Sequence, residues 1–405
     1  MTRRRDRGQV RGVSAGWVVL SVLAIAQGGR PASAQTQAAD EPKARKEWSL
    51  RLGLDERYDD NIIQLSDRDL DRLANPRPTD AAANRFAIES PDDFITIPHL
   101  SPDFKADWWH GHPTSFGFDA FAYQYLRNPV KSYQSYRLTA AQVLRDGKAL
   151  STSLGVTYGL IPRYYTRNLI SNRHLERLGF LPNPIPRFEV TYRKDYLQLE
   201  VEQDIVKEVL SLRAYCGREH RDYNPNFDER DSQMPYREGT LSWTPRRDGS
   251  VRLRAGYRRE DLHAAGELAD VPSFVEDDIS SRRDIWDADI RLRWGEKGRR
   301  KSVTVDYEHE RRDYSTTNVL DAFHFGRLDI RTYTTFALRV DLKKRWYFAA
   351  GAGRDTNRST FPSAVGTTVP PEDITDYTEN LLQIGFGYDF GEVVGRGVPG
   401  RRTPE

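Results

Sequence analysis

The sequence predicts an all-β chain, a single transmembrane antiparallel up-and-down β-barrel of about fourteen strands. Three observations lead there. Apolar and polar residues alternate with period two in segment after segment, the repeat of strands with two unlike faces. Short polar turns alternate with long connections rich in Asp, Asn, Pro and Ser, the asymmetry of a membrane barrel. Tryptophans gather beside the short turns, where an amphipathic ring sits well at a membrane interface.

Composition is compatible with this fold and narrows the function. At 405 residues, 38% hydrophobic and 30% charged, with a mean hydropathy of −0.71, the chain is too polar to cross a membrane as helices. A barrel tolerates that polarity because only every second strand residue must be apolar, and only across the hydrocarbon layer. The near-balance of 61 basic and 59 acidic residues lacks the basic excess that a nucleic-acid partner demands. One cysteine, Cys216, excludes an intramolecular disulfide and a multi-cysteine zinc site.

Taken from the start, residues 1–34 read as a signal peptide. Arg3, Arg4, Arg5 and Arg7 form a basic end, Val13 to Ala26 contains an apolar run, and Ala32, Ser33 and Ala34 form a cleavage site. The run from Gly16 to Ala26 is short for a helical span, which needs ~20 residues. Residues 35–46 form a polar leader with nothing to bury, expected to be flexible in the periplasm. The barrel is expected over 47–390, followed by a flexible periplasmic tail over 391–405.

The first strand sets Trp48, Leu50, Leu52 and Leu54 on one face against Ser49, Arg51, Gly53 and Asp55 on the other. Tight turns are expected at 110–113, 145–148, 193–195, 245–249, 295–298 and 343–345. Long connections are expected at 59–92, 127–133, 164–186, 223–235, 263–284, 314–326 and 355–377. The strands between them are 47–58, 93–109, 114–126, 134–144, 149–163, 186–192, 196–222, 236–244, 250–262, 285–294, 301–313, 327–342, 346–354 and 378–390. Segment 196–222 is too long for one simple strand, and a bulge near Asp204 to Glu208 would absorb the excess. An even number of strands puts both ends of the barrel on the periplasmic side.

Of the seven tryptophans beyond Trp17, six lie beside the short turns or the first strand's start: Trp48, Trp108, Trp109, Trp243, Trp294 and Trp346. Trp286 belongs to the other end. Between these rims the middle strands show a charged inner face. Val251, Leu253, Ala255 and Tyr257 alternate with inward Arg252, Arg254 and Arg258. On the next strand the inward set is Asp287, Asp289, Arg291 and Arg293, and then Ser302, Thr304, Asp306, Glu308 and Glu310. An arginine-rich stripe beside an acidic one is the expected lining of the lumen, stabilised by cross-strand charge pairs.

The last strand carries Leu382, Ile384, Phe386, Tyr388 and Phe390 on one face and Gln383, Gly385, Gly387 and Asp389 on the other. Within it, Gln383, Gly385, Tyr388 and Phe390 resemble the terminal assembly signal of bacterial outer-membrane β-barrels. Tyr58, Asp59, Asp60 and Asn61, which end the first strand, resemble the corresponding ending in a group of Gram-negative outer-membrane β-barrel porins. The resemblance covers both ends of the barrel by motif and its middle by pattern. It implies an outer-membrane location among lipid, insertion by the barrel-assembly machinery, and a link to polysaccharide-export components, since barrels of this group occur near exopolysaccharide genes. The tetratricopeptide region found in related exporters is not present in this sequence.

No catalytic, cofactor or metal site is expected. His110 and His112 flank Gly111 in a Pro-bounded turn without a third ligand nearby. Gly395, Gly397 and Gly400 have phosphate-loop spacing, but Pro399 cannot open the required helix. Glu267, Asp270, Glu276, Asp277 and Asp278 lack calcium-loop spacing and read as a solvated surface. His99, His174, His220, His263, His309 and His324 are scattered, and no G-x-S-x-G elbow is present, which argues against a hydrolase. The expected function is a channel or export conduit for hydrophilic solutes, polysaccharide being favoured by the resemblance. The alternative is a non-conducting barrel whose loops are a structural or ligand-binding surface.

Overall fold

The computed structural model describes residues 46–390 except 148–149, 181, 247, 266–277, 297–298, 318–320, 322, 343–344 and 363–374. The expected signal peptide, nearly all of the leader, the tail and most of the acid-rich 267–278 segment lie outside the described residues. Fourteen strands are found among them: β1 Lys46–Asp59, β2 Asp93–Trp109, β3 His112–Tyr125, β4 Tyr133–Asp146, β5 Ser151–Leu169, β6 Phe188–Val206 and β7 Leu210–Tyr223 form one half. The other half is β8 Ser232–Trp243, β9 Val251–Ala264, β10 Ser281–Trp294, β11 Lys301–Tyr314, β12 Leu328–Asp341, β13 Trp346–Thr360 and β14 Tyr377–Phe390. Each strand pairs antiparallel with its neighbours in sequence, and β14 pairs with β1 to close the ring. Among the described residues no sheet edge is left unpaired, which a barrel in lipid requires.

The two faces separate by chemistry. On β14, Leu382, Ile384, Phe386 and Phe390 are exposed on the outside, while Gly385, Gly387 and Asp389 are buried on the inside. On β10, Trp286, Ile290, Leu292 and Trp294 are exposed and Arg283 and Asp289 are buried. Trp48, Trp108, Trp109, Trp243, Trp294 and Trp346 are all exposed beside the short turns or at the start of β1. An exterior of aliphatic and aromatic side chains on a closed barrel of unlike faces places the protein in the outer membrane. Both ends of the barrel chain, Lys46 and Phe390, lie at the short-turn rim.

One turn is elsewhere than the sequence suggests. Residues 193–195 lie within β6, and the reversal between β6 and β7 falls at 207–209, where Val209 N–H donates to the Val206 carbonyl at 2.9 Å. The polar triplet resembles a turn only if charge must point to solvent. Inside this barrel Lys194 is buried and faces Glu219 at 3.8 Å. The true turn has no Gly, Asn or Pro, and Glu208 itself adopts a φ of 65°. The 196–222 segment is therefore two strands and a turn, and because 193–195 is no turn the total of fourteen is unchanged.

At the closing seam, Gly53 of β1 lies opposite Gly387 of β14. A Cβ at Gly387 would run into the Tyr347 ring, and one at Gly53 into His99. Glycine here leaves room for side chains from β13 and β2 to meet across the seam strands.

Candidate lumen and its constriction

The inner wall from β9 to β13 carries two tiers of charge. In the tier nearer the short turns, Arg252 reaches Asp289 at 3.2 Å, and Arg254 reaches both Asp287, at 3.5 Å, and Asp289. Asp306 accepts from the Thr335 hydroxyl at 3.0 Å. In the tier nearer the long loops, Glu260 lies between Arg258 and Arg283, the latter at 3.5 Å. Glu310 is clasped by Arg283 at 3.6 Å, Arg312 at 2.7 Å and Arg331 at 3.9 Å, and Asp355 takes Arg331 at 2.5 Å. Several of these carboxylates are shared by more than one guanidinium. Buried charges are tolerable only when paired in this way.

The stripes do not match strand against strand as expected. Arg254 does lie opposite Asp289, but Arg252 lies opposite Arg291, Asp289 opposite Asp306 and Asp287 opposite Glu308. Opposite charges meet partly along the diagonal, as Arg252 and Asp289 do, because β10 itself changes sign between Asp289 and Arg291.

The other part of the interior is filled. The connection between β1 and β2 folds inward and contains α1 (Asp67–Ala74) and α2 (Pro78–Ala82). The Ser66 side chain caps α1 by accepting from the Asp69 N–H, and Pro78 opens α2 with its fixed φ. Arg85 grips Asp69 at 2.8 Å and Arg72 grips Asp80 at 2.6 Å, tying the two helices together. Burial alone would raise the Asp80 carboxyl, but the Arg77 N–H and the Arg72 guanidinium hold it below the ordinary carboxylate range.

Ile62, Ile63, Leu65 and Ile88 of this connection pack against inward Ile95, Ile97, Tyr125, Tyr133, Ile161, Tyr164, Val190 and Tyr192. Each buried aliphatic side chain contributes on the order of 2 kcal/mol. The wall beneath is an arc of tyrosines on consecutive strands. Tyr123 stacks on Tyr133 with centroids 4.3 Å apart, Tyr133 meets Tyr164 at 5.0 Å, Tyr164 meets Tyr192 at 5.4 Å, and Tyr192 meets Tyr223 at 5.0 Å.

Hydrogen bonds fix the connection to several strands, among them two walls far apart in the ring. Asn61 donates to the Thr378 carbonyl at 3.0 Å and Gln64 to Glu379 at 3.1 Å, both at β14. On the other wall Asn168 donates to the Asn84 carbonyl at 2.9 Å and the Arg187 N–H to the Ala83 carbonyl at 2.8 Å. The second anchor, at the end of β5 and the start of β6, is up to six strands from the first in a ring of fourteen. The connection thus reaches nearly across the long-loop mouth. It leaves an apolar plug on the β2 to β7 side and a charged wall on the β9 to β13 side.

Arg252, Arg254, Arg258, Asp287, Asp289, Arg291, Arg293, Asp306 and Glu308 all lie on the inward face of β9, β10 and β11. Gln383 and Gly385 face inward, Gln383 accepting from Arg57 at 3.4 Å, whereas Tyr388 and Phe390 lie on the outer face. Asn61, part of the motif that ends β1, is buried; besides Thr378 it bonds the Leu65 carbonyl and N–H, so it serves the seam and the inserted connection together. Cys216 is exposed on β7. Among the described residues no group of three His, Cys, Asp or Glu side chains is arranged to hold a metal. Sequence reasoning missed the inserted connection and the tyrosine arc. The capping pair Ser66 and Asp69, Pro78 as a helix opener, and isoleucines at 62, 63 and 88 in a polar loop were the available signals.

No family model matches the chain, and no curated protein matches it. Among solved structures it is similar to an anion-selective porin from Comamonas acidovorans, with 11% identity over 86% of this chain and 100% of that one and a TM-score of 0.37. It is also similar to the outer membrane protein OprD from Pseudomonas aeruginosa, with 12% identity over 85% of this chain and 94% of that one and a TM-score of 0.34. A bacterial polysaccharide outer membrane secretin is similar at 8% identity over 85% of this chain and 98% of that one, with a TM-score of 0.39. The barrel's own pairing and exterior, rather than these distant likenesses, place it in the outer membrane.

Proposed function

We propose that the protein is a non-enzymatic outer-membrane channel for hydrophilic solutes, narrowed on one side by the inserted connection of residues 60–92. The observation that carries this reading is the inversion of faces, with apolar residues outside and guanidinium and carboxylate groups inside on five consecutive strands. A barrel that stored an apolar ligand in water would reverse them. Solutes would pass along the charged wall, with selectivity set by the constriction and the local field. Polysaccharide is the solute class that the motif at Tyr58 to Asn61 supports, with export components as partners and the barrel-assembly machinery reading the last strand.

A second reading, a closed barrel that presents its loops as a surface, is favoured by the depth at which Ile62, Ile63 and Leu65 are packed. Planar-bilayer recording of the purified protein separates the two. Discrete conductance steps support the channel. A folded barrel that gives no steps above background overturns it in favour of the closed form.

A further inference from the structure

We propose that Arg252, Arg291 and Arg293 form an oxyanion-binding site inside the short-turn mouth, taking small free anions such as phosphate. The proposal rests on the channel reading for its role in transport, but not for its binding chemistry. Arg252 and Arg291 are direct cross-strand partners on the inward face, and Arg293 follows two residues later on that face. Two guanidinium groups placed opposite each other repel unless a negative charge lies between them.

The nearby carboxylates have other partners, Asp306, opposite Asp289, taking the Thr335 hydroxyl at 3.0 Å. Asp289 is held by Arg252 and Arg254, and Asp341 and Asp389 are both held by Arg339, at 3.0 Å and 3.2 Å. Neither Arg291 nor Arg293 forms an ion pair with a carboxylate among the described residues, and Arg291 Nε is buried there without a hydrogen-bond acceptor. A buried charged donor without an acceptor is costly, and an oxyanion would satisfy it. On the next strand the positions facing Arg293 and Arg291 are Ser302 and Thr304, hydroxyl residues that add donors and no negative charge. Arg293 stands one residue from the exposed interfacial Trp294, so the site lies where a solute would enter or leave.

The full chain and its Arg291→Gln/Arg293→Gln variant, both verified as folded by the mobility shift of unheated samples on a denaturing gel, are recorded under a potassium chloride gradient. The proposal expects anion preference in the unaltered protein and a permeability ratio reduced about threefold in the variant, with conductance steps retained. An Arg291→Lys/Arg293→Lys variant, which keeps the charge, should retain the preference. A conducting protein whose selectivity is unchanged in the glutamine variant overturns the site. If neither protein conducts, the channel reading fails, and calorimetric titration with inorganic phosphate decides the site alone. Binding that is about tenfold weaker in the glutamine variant sustains it, and no binding to the unaltered protein overturns it.

Discussion

The Tyr347 hydroxyl and His99 Nε2 stand 3.3 Å apart on the inner side of the barrel, bridging from β13 to β2 over the two strands that close it. The crossing exists because Gly53 and Gly387, paired beneath it, have no side chains. Replacing Gly387 by Val should therefore force Tyr347 aside and destabilise closure by about 1–3 kcal/mol. The check is the fraction of unheated protein that migrates as folded barrel. Adding Tyr347→Ala should restore part of the loss, and an equal loss in single and double variants would rule out the steric account.

Lys194 and Glu219 are both fully buried, with Arg221 also on Glu219 at 2.7 Å. Glu219→Gln leaves two cations without their counter-charge and should cost about 3–5 kcal/mol in urea unfolding. Lys194→Met combined with Glu219→Gln should lose less than the sum of the single changes, because one orphaned charge goes with it. Strict additivity would mean that the pair is not coupled.

These two examples mark what the sequence discloses and what it conceals. The outer row Leu382, Ile384, Phe386 and Phe390 is legible because a period of two fixes which side chains share a face, whatever lies around them. The number of strands, the place of twelve of them and five of the six short turns follow from the same repeat, four of those turns having Gly, Asp or Pro between the runs. Lys194 misleads because charge marks either a turn or a barrel interior, and only the partner strand carrying Glu219 decides between them. The inserted connection is concealed for a similar reason. Ile62 and Ile63 announce burial, but the Tyr164 and Tyr192 that cover them lie a hundred or more residues away in sequence.

Asp80 ties the inserted helices together, and its folded value lies below that of the unfolded chain. Its contribution is therefore complete above about pH 4 and is lost as the pH falls through the lower folded value. Pepsin cleavage within 60–92 should be slow at about pH 5 and rise only toward about pH 2. Asp80→Asn should show fast cleavage at both, having lost about 2 kcal/mol of charge-assisted hydrogen bonding. Equal protection of variant and unaltered protein at about pH 5 would exclude this role.

Tyr388 and Phe390 lie on the outer face of the strand that closes the ring, Tyr388 opposite Leu52 and Phe390 opposite Leu50. Replacing both with Asp should prevent membrane assembly by removing the aromatic end of the closing strand, because at this rim the cost of charge facing lipid is itself only about 0–1 kcal/mol per residue and would not by itself stop insertion. Removal of 391–405 should leave assembly intact. Outer-membrane fractionation reads both, and a normal yield of folded barrel from the double Asp variant would refute the assembly role.

Single-channel conductance is recorded for the protein beside a form in which residues 66–87 are replaced by a short Gly-Ser linker. That form keeps Asn61, Gln64 and the closing seam but lacks α1 and α2. If residues 60–92 constrict a charged lumen, the shortened protein should conduct about threefold or more above the unaltered one. Identical conductance in the two, or no conductance from either folded barrel, would contradict it.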